Sequence, residues 1–336
     1  MSFAHVHADG YAALLRDHPG VQFVGFSEPD LERGRVASSQ FASSQLASSQ
    51  YSVPWFKSHI ALLEQRPDAV IVCCENFGRL ELVQLAAAHG AHVLCEKPIE
   101  VSLERALAMR LACETAGVKF MTAFPMRFDA TILALRSRLR RGDLGRVYGI
   151  NGLNHSEIPH QHRAWFAQKA LAGGGAVMDH MVHLVDLYRW FFDTEVRTVH
   201  AEVGNPFHPS DVEVDTAGLA LLTLENDVFA SVDCSWSRPI TYPRWGHLQL
   251  EVVGERGALS VDAFAQHLNV YSSRNARPLT WQGWGVDPNA AMLNAFFGCI
   301  TGDSPPPVTW QDGFEALRVA LGCYDSSQRG QPITLR

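Results

Sequence analysis

The stretch "AVIVCCENFGRLELVQLAAAHGAHVLCEKP" (residues 69–98) decides the fold class. It contains a short apolar run, a segment with helical periodicity and a second apolar run. A chain that alternates in this way forms a right-handed crossover between parallel strands. Because the alternation extends from residue 11 to about residue 125, we predict a doubly wound parallel sheet for residues 1–124.

The strands of this sheet place polar side chains at their carboxyl ends, where ligands of such sheets bind. We predict strands in the runs VQFVGFS (21–27), AVIVCC (69–74), HVLCEKP (92–98) and KFMTAFP (119–125). The predicted cofactor-binding residues at or just after their ends are Glu28, Asn76, Glu96 and Lys97. Glu28 stands where a carboxylate would bind a ribose 2′-hydroxyl, which favours NAD, although Arg33 and Arg35 leave NADP possible.

The N-terminus departs from the usual order of strand, Gly-rich turn and helix in a Rossmann-like domain. Only MSFA (1–4) precedes the first helix, and Ala4 stands where a third glycine would pack. We expect that the recorded start lies downstream of the true one; the alternative is a chain without its central strand that binds a dinucleotide poorly. The further residues predicted to contact the cofactor are Ser2, Phe3, Ala4 and His5.

After residue 125 the pattern changes to consecutive strands without intervening helices. We therefore predict a second, α+β domain over residues 125–336, built on a predominantly antiparallel sheet. A polar near-repeat, ASSQFASSQLASSQ (37–50), is predicted to be a loop and an insertion without function.

Composition excludes several classes of partner. The net charge of −7 and the lack of a basic stripe argue against nucleic acid, and no apolar stretch is long enough to cross a membrane. The seven cysteines have no repeating spacing, which indicates free thiols in a reducing compartment. We therefore expect a cytoplasmic protein.

Two motifs carry chemistry. Lys97 ends a predicted strand in a chain with only four lysines, which suggests a need for a compact, titratable ammonium. In "GGGAVMDHMVH" (173–183), Asp179 and His183 are four residues apart and share a helix face. A carboxylate can orient a hydroxyl there while an imidazole transfers its proton, so we predict that Lys97, Asp179 and His183 are catalytic.

Taken together, four features resemble the glucose–fructose oxidoreductase / inositol dehydrogenase (Gfo/Idh/MocA) family. They are Glu96-Lys97-Pro98, the string from Gly173 to His183, Arg127-Phe128 and the ending WQDGFEALRVALGCYDSSQRGQPITL (310–335). The resemblance implies a Rossmann domain, an open-faced antiparallel sheet domain and NAD(P)-dependent oxidation or reduction of a carbinol carbon on a sugar, polyol or related molecule. It also implies dimers or tetramers formed through the open sheet.

The chain differs from that family at one strand end. Cys74-Glu75-Asn76 replaces its usual Thr-Pro-Asn, and Arg79 replaces a histidine, so only Asn76 matches. For the substrate we predict contacts from polar and aromatic side chains that could bind hydroxyls or stack on a sugar. These residues are Arg127, His160, His162, Arg163, Trp165 and His180.

Two other functions stay open. Histidine and carboxylate side chains could hold Zn²⁺ or Mn²⁺ in a metal-dependent lyase or hydrolase that acts on a sugar-like substrate. The candidate ligands are His5, His7, Asp179, His180 and His183. The incomplete N-terminal motif would also suit a non-catalytic member of the family with impaired cofactor binding.

Overall fold

The chain folds into two compact units. The computed structural model describes residues 1–42, 53–159, 163–208, 210–272, 277, 279–283 and 285–335. The first unit comprises Met1–Ala123 and Leu293–Trp310, and the second comprises Phe124–Met292 and Gln311–Arg336. The first unit therefore takes one segment from late in the sequence.

The first unit alternates helices with short parallel strands, which confirms the predicted class. In chain order its elements are α1 (His7–Arg16), β1 (Phe26–Ser27), α2 (Leu31–Ala42), β2 (Trp55–Phe56), α3 (His59–Leu63), β3 (Ala69–Val72), α4 (Arg79–Ala88), β4 (His92–Cys95), α5 (Leu103–Ala116) and β5 (Phe120–Thr122). Strands β3, β4 and β5 form one parallel sheet in that order, and β1 and β2 form another.

The predicted strand over residues 21–27 is confirmed only at its end. Residues 21–25 belong to no strand. On the side of β1 that faces away from β2, Ser2 contacts the end of the strand, where the Ser2 amide donates to the Ser27 carbonyl (2.8 Å). Met1 lies beside β3, where its nitrogen donates to the Ile71 carbonyl (2.6 Å) and its carbonyl accepts from the Cys73 amide (2.9 Å). Residues 1 and 2 therefore join the two parallel sheets.

The polar near-repeat does not form a loop throughout. Helix α2 continues to Ala42, so the loop prediction is wrong for residues 37–42, and residues 43–50 lie outside the described residues. Alanine has the highest helix propensity, and Ala37 is buried. The helix therefore extends into the repeat.

The second unit is built on a seven-stranded sheet. The remaining elements of the chain are α6 (Ala130–Arg140), β6 (Val147–Ser156), α7 (Lys169–Ala172), α8 (Val182–Phe192), β7 (Val196–Gly204), β8 (Ala217–Leu224), β9 (Phe229–Ser235), β10 (Gly246–Gly254), β11 (Gly257–Asp262), β12 (His267–Tyr271), β13 (Leu279–Gly283), α9 (Pro288–Thr301), α10 (Trp310–Arg329) and β14 (Ile333–Thr334). The order of strands in the sheet is β11-β10-β6-β9-β8-β7-β14. All neighbours are antiparallel except β6 and β9, which run parallel; a separate hairpin pairs β12 with β13.

One face of this sheet is covered and the other is open. Alternate β8 residues are buried, while Leu219 and Leu221 between them are 55% and 62% exposed. Helix α8 covers the buried face, where the Tyr188 hydroxyl donates to the Ser231 carbonyl (2.8 Å). The alternation follows from the two-residue period of a strand.

Two features concern the whole chain. All seven cysteines are buried and free. Within the described ranges, no helix is both long and apolar enough to cross a membrane.

Candidate active site

A tight turn at the N-terminus places backbone amides beside Glu28. Ser2 adopts a left-handed conformation (φ 65°), which reverses the chain between Met1 and α1. The Phe3 amide (2.7 Å) and the Ser2 hydroxyl (3.1 Å) both donate to Glu28 Oε2. The predicted cofactor residues Ser2, Phe3, Ala4 and His5 are all buried in this turn.

The Glu28 carboxylate is fully buried and stays ionised. Burial alone would raise its pKa, but hydrogen bonds from the Phe3 and Asp30 amides and from Arg33 outweigh burial, so the pKa of Glu28 is lowered. The Arg33 contact at Oε1 (3.3 Å) is the longest of these, and Arg33 also reaches Glu75 (3.4 Å). A ribose hydroxyl could replace this guanidinium contact.

A hydrogen-bonded cluster surrounds Glu96 at the end of β4. His7 Nδ1 (2.9 Å) and the Tyr11 hydroxyl (2.6 Å) contact Glu96 Oε1, and the Lys97 amide donates to Oε2 (3.0 Å). Burial opposes ionisation, but the neighbouring His7 imidazole, its hydrogen bond to the carboxylate and the Lys97 ammonium keep the pKa of Glu96 well below its usual range. Burial also lowers the pKa of His5, which therefore stays neutral.

The loop that carries Lys97 is held from both sides. Lys97 is buried, and its peptide bond to Pro98 is cis. Arg79 Nη1, at the start of α4, donates to the carbonyls of Glu96 (3.0 Å) and Pro98. Glu100 accepts hydrogen bonds from Arg105 Nε (2.9 Å) and from the Leu80 amide (3.4 Å). These contacts fix the backbone on both sides of Lys97.

In the second unit, the glycine string precedes the helical segment that carries Asp179 and His183. Asp215 accepts hydrogen bonds from the amides of Gly175 (2.7 Å) and Val177 (2.8 Å) and from the Tyr324 hydroxyl (2.8 Å). A Cβ at Gly175 would lie 1.7 Å from the Asp215 carbonyl oxygen. Only glycine allows this close approach of the two backbones.

Asp179 lies in a single π-helical turn, Val177–Met181, directly before α8. Its Oδ2 accepts from Trp236 Nε1 (3.3 Å) and lies 3.6 Å from His180 Nε2. His180 is buried, and its Nε2 is 2.8 Å from the Ser156 hydroxyl. Trp236 is also buried, in a small apolar cluster.

His183 follows on the first turn of α8 and is partly buried. Its ring packs edge-on against Phe124, with ring centroids 5.7 Å apart. The side chain therefore has an apolar neighbour on one side, and its role as a proton acceptor stays a prediction.

Arg127, a predicted substrate contact, is buried in a network of carboxylates. It bonds Asp186 through Nε (2.8 Å) and Nη2 (2.6 Å), and it pairs with Asp312 (2.9 Å). Burial raises the pKa of Asp186 to about 6, against the opposing charge of Arg127. The network ties the start of the second unit to α8 and α10.

Of the other predicted substrate contacts, His160 and His162 lie outside the described residues. Arg163 is partly buried, and Trp165 is buried and stacks on Phe166, with ring centroids 3.9 Å apart. Asn76, the remaining cofactor prediction, is buried just before α4.

Sequence reasoning missed three residues that shape these sites: Tyr11, Arg79 and Asp215. Tyr11 and Asp215 hold their partners through contacts made by chain segments far apart in sequence, which no local pattern reveals. Arg79 stands out in the sequence only as a difference from the family, and that difference was the available signal.

Comparisons with known proteins agree with this description. A family model described as an oxidoreductase family with an NAD-binding Rossmann fold matches residues 5–124. A second, the GFO/IDH/MocA C-terminal domain, matches residues 132–260.

Relatives cover most of the chain. Myo-inositol dehydrogenase Hyg17 of Streptomyces leeuwenhoekii is 28% identical over 270 residues, which cover 78% of this chain and 79% of the relative. D-apiose dehydrogenase of Paraburkholderia graminis is 26% identical over an alignment of 349 residues, which covers 99% of this chain and 86% of the relative.

Solved structures share the fold. GenD2 from gentamicin A biosynthesis, in complex with NAD, has a TM-score of 0.85 at 19% identity, with 98% of this chain and 93% of that chain covered. Myo-inositol 2-dehydrogenase from Lactobacillus plantarum has a TM-score of 0.80 at 20% identity, with 97% and 95% covered.

A dinucleotide-binding unit with a lysine at the end of a strand, and a sheet unit with an Asp–His helix, define an NAD(P)-dependent oxidoreductase. The chain belongs to the Gfo/Idh/MocA family of such enzymes, which confirms the predicted family.

Proposed function

We propose that the protein is an NAD-dependent dehydrogenase that moves a hydride between nicotinamide and the carbinol carbon of a sugar, a polyol or a related molecule. The observation that carries this proposal is the Lys97 loop, whose backbone is fixed on both sides before any substrate binds. Relatives named as inositol and apiose dehydrogenases support the substrate class.

The first unit fits NAD at its ribose end. Glu28 is an ionised carboxylate at the end of β1, and one of its oxygens is shared with the partly exposed Arg33. That carboxylate would accept a hydrogen bond from a ribose hydroxyl, and its negative charge would disfavour a 2′-phosphate. Bound NAD would supply the hydride acceptor.

We propose a separate role for each catalytic side chain. The Lys97 ammonium donates a hydrogen bond to the substrate oxygen and stabilises negative charge that develops there. His183 takes the hydroxyl proton near neutral pH. Asp179, whose carboxylate already accepts from Trp236, orients a neighbouring hydroxyl.

These roles predict that Lys97→Ala and His183→Ala lose turnover and keep cofactor binding. We expect kcat to fall by roughly 10²–10⁴ in each variant, while NADH still binds by fluorescence titration. NAD reduction is measured with inositols, apiose and other polyols. Lys169→Ala, at an exposed lysine, is the matched control and should keep wild-type turnover. Unchanged kcat in both active-site variants would overturn the assignment.

A second candidate function, a metal-dependent one, rests on one cluster of possible metal ligands. The ligand atoms of His5, His7 and Glu96 lie within 4.8 Å of one another, a histidine and carboxylate set that suits Zn²⁺ or Mn²⁺. The adjacent Lys97 and Arg79 add positive charge, which disfavours a cation and leaves a metal-dependent lyase or hydrolase second. Stoichiometric metal in protein purified without a histidine tag, lost in His7→Ala, would favour it. Failure to bind NADH, together with the absence of bound metal, would favour the non-catalytic alternative with impaired cofactor binding.

We also propose that the protein works in the cytoplasm as a homo-oligomer joined through the open sheet. The seven free thiols suit a reducing compartment. Apolar side chains on the open face support the interface: Leu219, Leu221, Phe229 and Val253.

A further inference from the structure

A single guanidinium joins two segments of the first unit beside Glu28. Arg33 lies in the first turn of α2, and its Nη2 contacts Glu28 Oε1 at 3.3 Å. Its Nη1 lies 3.4 Å from Oε1 of Glu75, a residue between β3 and α4. The cation therefore bridges two carboxylates that belong to different segments of the chain.

The two carboxylates differ in what else they bind. Glu28 is fully buried, and it also accepts the Asp30 amide at Oε1 (2.9 Å) and the Phe3 amide at Oε2 (2.7 Å). The Glu75 side chain is 22% exposed. Because main-chain amides hold Glu28, its carboxylate keeps its place if Arg33 leaves, and the displaced guanidinium then has Glu75 beside it.

Arg33 needs an anion wherever it lies. Its side chain is only 36% exposed, and within the described residues its Nε is buried without a hydrogen-bond partner. A partly buried charge that loses its counter-charge is costly. A ribose hydroxyl that binds Glu28 Oε1 would displace Arg33, and the Glu75 carboxylate would remain as the anion.

Negative charge dominates around this guanidinium. Burial lowers the pKa of Arg33, but the hydrogen bond and charge of Glu28 and the charges of Glu75 and Asp30 outweigh burial and raise it. Asp30 Oδ1 also accepts the amides of Glu32 (3.0 Å) and Arg33 (2.9 Å) at the start of α2, where a phosphate could otherwise bind. A 2′-phosphate would bring further negative charge to three carboxylates that already share this guanidinium.

We propose that Glu75 is a specificity-determining residue, which holds Arg33 when a ribose hydroxyl binds Glu28 and so keeps the guanidinium from a 2′-phosphate. This inference rests on the proposed function, because it concerns the same dinucleotide. A released Arg33 could bind a phosphate through two parallel N–H groups and offset the charge of Glu28. The preference for NAD therefore depends on Glu75 as well as on Glu28.

The test removes the charge of Glu75 and measures binding rather than turnover. NADH and NADPH are titrated by fluorescence into the wild-type protein and Glu75→Gln. We expect the ratio of the two dissociation constants to shift toward NADPH by at least about tenfold in Glu75→Gln. Adenosine 2′,5′-bisphosphate should also displace NADH at lower concentration from this variant. Glu114→Gln is the matched control, since Glu114 is exposed and pairs with an arginine, and it should keep the wild-type ratio.

A double-mutant cycle with Arg33→Met decides whether Glu75 acts through Arg33. The gain in NADPH binding should disappear in Glu75→Gln/Arg33→Met, because no guanidinium remains there to bind the phosphate. An equal gain with and without Arg33 would show that Glu75 acts through its own charge alone and would overturn the proposal. An unchanged ratio in Glu75→Gln would overturn it as well.

The same titrations separate this proposal from the proposed function. If the wild-type chain binds NADH and either result against Glu75 is found, only the role of Glu75 is wrong. If the wild-type chain binds neither NADH nor NADPH, the proposed function and the role of Glu75 are both wrong.

Discussion

Arg79 is a fully buried guanidinium whose hydrogen bonds end on main-chain carbonyls. In the part of the chain that the structure describes, its Nε and Nη2 have no hydrogen-bond partner. Burial of a charge without a neighbouring carboxylate costs free energy. We therefore infer that Arg79 contributes to the fold through its hydrogen bonds to the backbone around Lys97. The sequence predicted the lysine, because it ends a strand, but not the arginine that holds it.

Replacement of this arginine should cost stability. In Arg79→Met, the carbonyls of Glu96 and Pro98 lose their donor, and each unsatisfied buried acceptor costs about 1–3 kcal/mol. We expect the free energy of unfolding in urea to fall by about 2–4 kcal/mol. Arg140→Met is the control, since Arg140 pairs with the exposed Asp193 and should cost less. A smaller loss at Arg79 than at Arg140 would refute the role of Arg79 in holding the backbone around Lys97.

The buried carboxylate of Glu96 makes stability depend on pH. Its pKa lies below the ordinary value near 4.5, so the folded form binds fewer protons than the unfolded form in acid. Its contribution is therefore complete above the unfolded pKa and is lost as the pH falls through the folded pKa. Glu96→Gln should be less stable than wild type at pH 7, and the difference in melting temperature should shrink below about pH 4. Glu114→Gln, at an exposed position, should show little difference at either pH.

At the scale of the element, the turn before α8 shows how glycine sets the path of a helix. Gly175 packs against the backbone of Asp215, and Asp215 in turn caps the amides of Gly175 and Val177. Asp179 lies one turn further on, so its position depends on this contact. The glycine string was visible in the sequence, but Asp215 lies forty residues away and no local signal connects them.

Alanine substitutions test this packing. In Gly175→Ala the new methyl group would overlap the Asp215 carbonyl, and we expect a loss of at least about 3 kcal/mol together with reduced turnover. Gly10→Ala is the control, because a Cβ at this position inside α1 would meet nothing within 4 Å. That variant should gain about 0.5–1 kcal/mol. Thermal unfolding measures both, and a tolerated Gly175→Ala would contradict the packing argument.

The helices and strands were largely predictable where the local pattern of their own residues determines them. Periodicity predicted β3, β4 and β5 and the helices between them, because these segments are apolar and short. It did not predict the parallel pair β6–β9, nor that residues 293–310 belong to the first unit. Both depend on contacts between distant segments, and residues 21–25 failed to form a strand for the same reason.

At the scale of the whole molecule, the open face of the large sheet exposes apolar side chains from neighbouring strands. Leu221 on β8 and Phe229 on β9 are each about 60% exposed. Exposed apolar side chains grouped on one face are a feature of interaction surfaces. Resemblance suggested an open sheet, and the alternation along β8 supplies the physical basis.

A charge in this face should separate the subunits of the proposed oligomer. We expect Leu221→Asp to shift the molar mass from light scattering to that of the 37.1 kDa chain. Leu111→Asp, on the exposed side of α5 in the first unit, should leave the mass unchanged. A wild-type protein that is already monomeric at working concentration would contradict the interface.

Because its seven thiols are buried, we expect the native chain to react little with thiol-specific labels. Burial raises the pKa of Cys73, Cys74 and Cys323, so little thiolate exists at neutral pH to react with a maleimide. A cysteine introduced at exposed Leu111 and another at exposed Leu268 would therefore take up a dye or spin label selectively. Because the two positions belong to different units, the pair would report the distance between the units as dinucleotide and polyol are added.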